Sequence, residues 1–198
     1  MPILRRSPGG AHALPVAMAA VKAGERVLVI GAGDAKMLAA VAARSGLTGR
    51  AAALVACEAE RQRLAAAAAS AGLLLEVSVA GRWDEAAYGS GEFDVAVIDG
   101  TRSRFGAMDR AQRAACLAGV FGALRHGGRV VLVERRPTFV ESLVRPSRSA
   151  AADYLAGGGA AGALEAAGFS PVRVLAERSG WRFVEGLRGR GTEAVHAG

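Results

Sequence analysis

Residues 26–30, Arg-Val-Leu-Val-Ile, run straight into Gly31-Ala32-Gly33, and helix formers follow over 36–44. A short β-branched apolar run that ends in glycine is the pattern of a buried strand closing on a turn. Glycine there lets the backbone pass close to a ligand, and the first turn of the next helix offers free N–H groups. A chain built on this unit is held to an α/β arrangement, with its strands covered on both faces.

The alternation continues along the chain. Residues 51–57 read as a second strand, Glu58 to Ala71 as a helix closed by Gly72, and 73–79 as a third strand. Phe93 to Ile98 is a fourth strand, with Asp94 and Asp99 near its ends. A helix is expected over 107–124, and Gly127-Gly128 opens a fifth strand over 129–134. Residues 151–167 suit one helix despite Gly157-Gly158-Gly159. The last two strand-like runs, Pro171 to Glu177 and Trp181 to Gly186, are separated only by Arg178-Ser179-Gly180, so they must pair as an antiparallel hairpin. The expected fold is a Rossmann-like three-layer α/β sandwich: a mostly parallel seven-stranded sheet with a C-terminal antiparallel hairpin. With 198 residues, 52% of them hydrophobic, one domain over 1–187 can bury its core without disulfides. The Gly-rich stretch 188–198 is expected to be a disordered tail.

The formal charge of +7 would suit a nucleic-acid surface, but its distribution does not. Lysine occurs only at Lys22 and Lys36, and the arginines are scattered, as in the Ala-, Gly- and Arg-rich product of a GC-rich genome. A nucleic-acid partner is therefore not expected. Cys57 and Cys116 fit no metal-ligand spacing and read as small apolar residues in a reducing compartment. The segment Ala11 to Val21, interrupted by His12 and Pro15, is too short to span a bilayer. These features point to a cytoplasmic protein with no metal.

Four elements carry the chemistry. The first is the glycine turn. Its Lys36 stands where a dinucleotide fingerprint wants a third glycine and would crowd a pyrophosphate, which counts against a nicotinamide or flavin. The second is an acid at the end of the second strand, placed to accept hydrogen bonds from two ribose hydroxyls. Spacing leaves Glu58 and Glu60 as alternatives, and Glu58 is preferred because Glu60 falls within the helix. The third is Phe93-Asp94-Val95-Ala96-Val97-Ile98-Asp99. The fourth is Leu124-Arg125-His126-Gly127-Gly128 leading into the fifth strand.

In this order and spacing, over roughly residues 16–187, the chain resembles the class I S-adenosylmethionine-dependent methyltransferases. The resemblance implies S-adenosyl-L-methionine as cofactor. Gly31, Ala32 and Gly33 would pass under its methionine part, and Glu58 would hold the ribose. The segment Ala80-Gly81-Arg82, with Asp84 as an alternative to Arg82, would meet the adenine. Asp99 would lie beside the transferred methyl group. The chain departs from the common pattern at Val29, where the family often has an acid, at Ala35, where a third glycine is usual, and at Arg82, where an aspartate is common.

The implied activity is methyl transfer to a small molecule. Thr101, Arg102, Arg104 and Arg135 are the candidate substrate-binding residues, with Arg136 and the segment 135–149 nearby. A missing acid/base residue would not weigh against an enzyme, because in-line transfer from a sulfonium depends mainly on positioning and desolvation. His126 reads as a turn residue, His12 as a weak acid/base candidate on an N-terminal helix, and His196 as part of the tail. No catalytic residue is assigned. The rival readings are a non-catalytic S-adenosylmethionine-binding or scaffold domain and an RNA or protein methyltransferase. Oligomeric state cannot be read from the sequence.

Overall fold

The computed structural model describes residues 12–80, 89–101, 105, 108–135 and 149–189. Seven strands make one sheet in the order β3-β2-β1-β4-β5-β7-β6. They are β1 (Arg26–Ile30), β2 (Arg50–Val55), β3 (Glu76–Val79), β4 (Phe93–Asp99), β5 (Leu124–Arg135), β6 (Val172–Arg178) and β7 (Trp181–Leu187). β1 to β5 are mutually parallel, and β7 pairs antiparallel with both β5 and β6. The helices are α1 (Ala13–Ala19), α2 (Ala35–Ala42), α3 (Glu58–Ser70), α4 (Arg110–Ala123), α5 (Ser149–Ala156) and α6 (Gly159–Ala166). The expected three layers and terminal hairpin are present.

Alternate residues of the central strands feed two separate cores, which is why these strands are apolar throughout. On one face Leu28, Ile30, Ala96, Ile98, Val130 and Leu132 pack with Leu117 and Val120 of α4 and Leu164 of α6. On the other, Val27, Val29, Val95, Val97, Val131 and Val133 pack with Met37, Leu38 and Val41 of α2 and Leu64 of α3. The sheet reverses its winding between β1 and β4. In such sheets the crevice outside the carboxyl ends of these strands is where ligands bind.

At the opposite, amino edge of the sheet several arginines meet acids. Arg26 and Arg50 share Glu92 at 3.0 Å each, Arg50 also reaches Glu76 at 2.8 Å, and Arg125 meets Asp94 at 2.5 Å. Arg129 pairs with Glu25 at 3.2 Å, and Arg173 with Glu185 at 2.6 Å. Arg129 also donates to the carbonyls of Ala19 and Ala20, which fixes the end of α1. The exposed ones among these pairs, such as Arg50–Glu76, are worth little singly. Linked across neighbouring strands, they match acids to bases within the molecule.

Three expectations change in detail. The helix expected over 151–167 is two helices, α5 and α6, parted at Gly157-Gly158. Gly158 has φ +88° and Gly159 φ +62°, left-handed backbone that no continuous helix contains. β3 begins at Glu76 rather than 73, and β5 begins at Leu124 rather than 129. Leu124 pairs with Phe93 while Arg129 pairs with Val95, so residues 125–128 bulge out of the ladder. The Ser179-Gly180 turn matches expectation: both residues have positive φ (+55° and +75°), as a tight two-residue hairpin requires.

Candidate functional site

At the carboxyl edge, β1 ends on Gly31, whose φ of +91° is left-handed. Its N–H still donates to Leu54 O at 2.9 Å, so the turn leaves the sheet only after β2 has been paired to its end. Ala32 is buried and Gly33 half-buried. Asp34 then caps α2, its Oδ1 accepting from Met37 N at 3.0 Å. This cap satisfies one of the free donors at the start of the helix.

Asp99, at the end of β4, is fully buried. Its Oδ2 accepts from the Asp34 backbone N–H at 2.7 Å. Its Oδ1 accepts from Thr101 N at 2.9 Å and from the Thr101 hydroxyl at 2.5 Å. A buried carboxylate needs such partners. Here they tie the glycine turn to the end of β4. Both oxygens of Asp99 and the hydroxyl of Thr101 are thus engaged with one another and with the turn. Gly100 lies close to β5: a Cβ on it would come within 2.8 Å of Val133 O.

Glu58 and Glu60 both lie in the first turn of α3. Glu60 folds back, its Oε2 accepting from Ala56 N at 2.9 Å. Glu58 is exposed and bonded only to its own helix, to Arg61 at 2.5 and 2.7 Å and Gln62 at 3.2 Å. The hydrogen bonds from Arg61 hold its carboxyl below the usual glutamate range. Glu58 is thus the more exposed of the two carboxylates, its oxygens engaged by Arg61 and Gln62. The end of β3 sits alongside, since Ala80 N donates to Val55 O at 2.9 Å.

Arg135 ends β5, exposed, with its guanidinium 5.0 Å from the centre of the Trp181 ring. Trp181 in turn stacks on Phe183. Glu134 faces the other side of the sheet and accepts from Tyr154 Oη at 2.6 Å. Gly81, Arg82, Asp84, Arg102, Arg104 and Arg136 lie outside the described residues, as do His196 and the rest of 190–198. His126 is exposed in the bulge within β5, its ring near Gly189 O. Backbone contacts continue past Leu187: Arg188 N donates to Gly128 O at 2.8 Å, and Gly127 N to Arg188 O at 2.9 Å.

Sequence reasoning did not single out Asp34. The available signal was an aspartate directly before a helix, immediately after the glycine turn. His12 caps the start of α1 and points at this residue, Nε2 to Asp34 Oδ2 3.3 Å. The structure therefore brings together Gly31, Ala32, Gly33, Asp34, Asp99, Thr101 and His12. Glu58 opens α3, just after the end of the adjoining strand β2.

No family model and no curated protein matches the chain. Solved structures do. A SAM-dependent methyltransferase from Aquifex aeolicus has 16% identity and a TM-score of 0.65, with 87% of each chain covered. An O-methyltransferase family protein from Burkholderia thailandensis has 17% identity and a TM-score of 0.62, over 88% of this chain and 55% of that one. A 16S rRNA methyltransferase of T. thermophilus has 17% identity and a TM-score of 0.52, over 94% of this chain and 40% of that one. The fold is that of the class I S-adenosylmethionine-dependent methyltransferases. Among the described residues no helix is long and apolar enough to cross a membrane.

Proposed function

We propose that this protein is an S-adenosylmethionine-dependent methyltransferase acting on a small molecule. The observation that carries the proposal is the lock between Asp99 and Asp34. It fixes a left-handed glycine turn at the carboxyl ends of β1 and β4, and the exposed acid Glu58 opens α3 just after the neighbouring strand β2. The donor set fits the cofactor. Gly31 takes the left-handed backbone that lets the turn run close to a ligand, and Glu58 is proposed to supply a carboxylate for the two ribose hydroxyls. When bound, the cofactor supplies an electrophilic methyl group on sulfur. The protein's task is to hold it and to present an acceptor in line with it, in a site shielded from water.

Gly81 with Arg82 or Asp84 is proposed for the adenine. Arg135 is proposed for the acceptor, its guanidinium over the Trp181 ring, and Arg102 and Arg104 are proposed to join it. Asp99 and Thr101 act here by positioning the turn. A small-molecule acceptor is favoured over RNA because the arginines of the amino edge are matched by acids across the sheet. Placement in the cytoplasm is proposed from the two cysteines, Cys57 half-buried and Cys116 buried, which fit no metal-ligand spacing.

Calorimetric titration with S-adenosylhomocysteine tests the reading. Saturable binding at one site is expected, and no binding at millimolar ligand overturns it. Binding of NAD or NADP in its place would mark a nicotinamide enzyme. Incubation with S-adenosylmethionine labelled in the methyl group and a metabolite extract then separates an enzyme from a binding scaffold: label transferred to a small molecule is the result expected of the enzyme.

A further inference from the structure

Helices α4 and α6 lie on one face of the sheet, against which they pack Leu117, Val120 and Leu164. Where two helices meet, their side chains ordinarily interlock and fill the space between them. Here the residues that line that space are Ala114 and Ala118 of α4 and Gly162, Ala163 and Ala166 of α6. They are spaced three and four residues apart, so each set forms one stripe along its helix. Alanine and glycine do not reach across, and a groove of about 910 Å³ is left. Small-molecule sites run from roughly 300 to 1,000 Å³ and are mostly apolar, with a few polar groups that fix orientation.

The polar groups of this groove gather where α4 begins. Asp109, Arg110 and Asp153 are exposed there, whereas Arg113 is only 6% exposed and Tyr154 is buried. The Arg113 guanidinium donates to Met108 O and lies 4.8 Å from the centre of the Tyr154 ring. Tyr154 is held in turn by its hydroxyl on Glu134. Among the described residues no carboxylate pairs with Arg113. Asp109, one turn earlier, uses Oδ1 to cap the helix through Gln112 N. A buried cation without an anion is costly. A guanidinium with most of its N–H groups uncommitted matches a carboxylate in shape and charge.

We propose that the groove between α4 and α6 binds a small aliphatic monocarboxylate. Its chain lies along the alanine and glycine stripes, beside Leu117, and its carboxylate pairs with the Arg113 guanidinium. The small residues select a slender apolar body, and the buried charge selects an anionic head group. The groove is on the opposite face of the sheet from α2 and the Asp34 cap. The inference therefore does not depend on the methyltransferase reading.

The test is calorimetry on the full chain with octanoate and octan-1-ol, which share the chain and differ in the head group. Octanoate is expected to bind saturably at one site, about tenfold more tightly than the alcohol, the size of one charge-assisted hydrogen bond. Ala118 is an exposed position on α4. Ala118→Leu places a larger side chain in the groove and is expected to weaken octanoate about tenfold or more, with no loss of thermal stability. Arg113→Met keeps an unbranched side chain without the charge and is expected to bring octanoate down to the affinity of the alcohol. No saturable octanoate binding in the millimolar range overturns the inference. So does equal binding of the two probes by wild type, or octanoate binding that Ala118→Leu leaves unchanged. A folded Arg113→Met protein that still prefers octanoate overturns it as well. Should that variant fail to fold, the wild-type comparison and Ala118→Leu decide. A wild-type dimer in sedimentation that Ala118→Leu breaks would give the groove to a second copy of the chain and overturn the ligand assignment.

Discussion

The carboxylate of Asp99 accepts the backbone N–H of Asp34 at 2.7 Å, which makes the end of β4 and the turn after β1 a single unit. The two residues lie 65 positions apart, and Asp99 is fully buried. Removing the carboxylate leaves the N–H groups of Asp34 and Thr101 and the Thr101 hydroxyl without their acceptor. Unpaired buried donors cost about 1–3 kcal/mol each. Asp99→Ala is therefore expected to lower stability by about 3 kcal/mol or more in urea titrations. Asp99→Asn, which keeps the shape and one acceptor oxygen, is expected to lose about half of that. In each variant binding of S-adenosylhomocysteine should fall with the ordering of the turn. A stable Asp99→Ala protein with full affinity would show that the lock holds nothing.

Glu58 is expected to behave in the opposite way. It is exposed, and its partners Arg61 and Gln62 are on its own helix. Glu58→Ala should leave the thermal unfolding midpoint nearly unchanged while weakening S-adenosylhomocysteine by about tenfold, through loss of the ribose hydrogen bonds. The hydrogen bonds from Arg61 hold the Glu58 carboxyl below its ordinary value. It therefore stays ionised as pH falls through the usual glutamate range near about 4.3. Any loss of affinity that it causes begins only below that range. Arg61→Ala removes the cause and should move that loss to higher pH. Affinity measured against pH for both proteins checks the sign.

Much of this architecture was legible in the sequence because it is local. The run Arg26 to Ile30 into Gly31 announces a buried strand and its turn, and the close spacing of 171–177 and 181–186 permits only a hairpin. What escaped depends on partners far along the chain. β5 starts early because Leu124 finds Phe93, and the bulge over 125–128 follows from that pairing. Asp34 looks like any helix cap until Asp99 and His12 arrive beside it from elsewhere. Glu58 and Glu60 share the first turn of α3, and that Glu58 is the more exposed follows from Glu60 bending back to Ala56 N. The ion pairs of the amino edge join residues up to 104 positions apart, so scattered arginines gave no local sign of them.

The break between α5 and α6 yields a third prediction. A Cβ added to Gly162 would lie 2.0 Å from Gly157 O, a distance no relaxation of a single side chain can relieve. The helix formers of 151–167 favour a continuous helix, and the glycines at 157–159 oppose it. Gly162→Ala should therefore destabilise the protein despite alanine's better helix propensity, by about 2 kcal/mol or more. A stabilised Gly162→Ala protein in a urea titration would mean that 151–167 is one helix after all.

Tyr154 provides a test at high pH. It is a buried residue of α5 with its hydroxyl on Glu134 at 2.6 Å, and the Arg113 guanidinium lies over its ring at 4.8 Å. Burial first, and then the adjacent Glu134 carboxylate, push its ionisation well above the ordinary tyrosine value. The chain has two tyrosines, so ultraviolet titration of the folded protein should show at most one tyrosinate appearing near pH about 10. Tyr154→Phe should leave that curve unchanged. The linkage follows in sign. A group whose folded pKa is raised adds stability that is fully present below its unfolded pKa and is lost as pH climbs above it. Tyr154→Phe should thus cost about 1–2 kcal/mol at neutral pH, for the hydrogen bond to a charged acceptor. The gap between wild type and variant should narrow above pH about 10, where only the wild type has this contribution to lose. Two tyrosinates titrating together in the folded wild-type protein, or a gap that stays constant with pH, would mean that the Tyr154 hydroxyl is not held by Glu134.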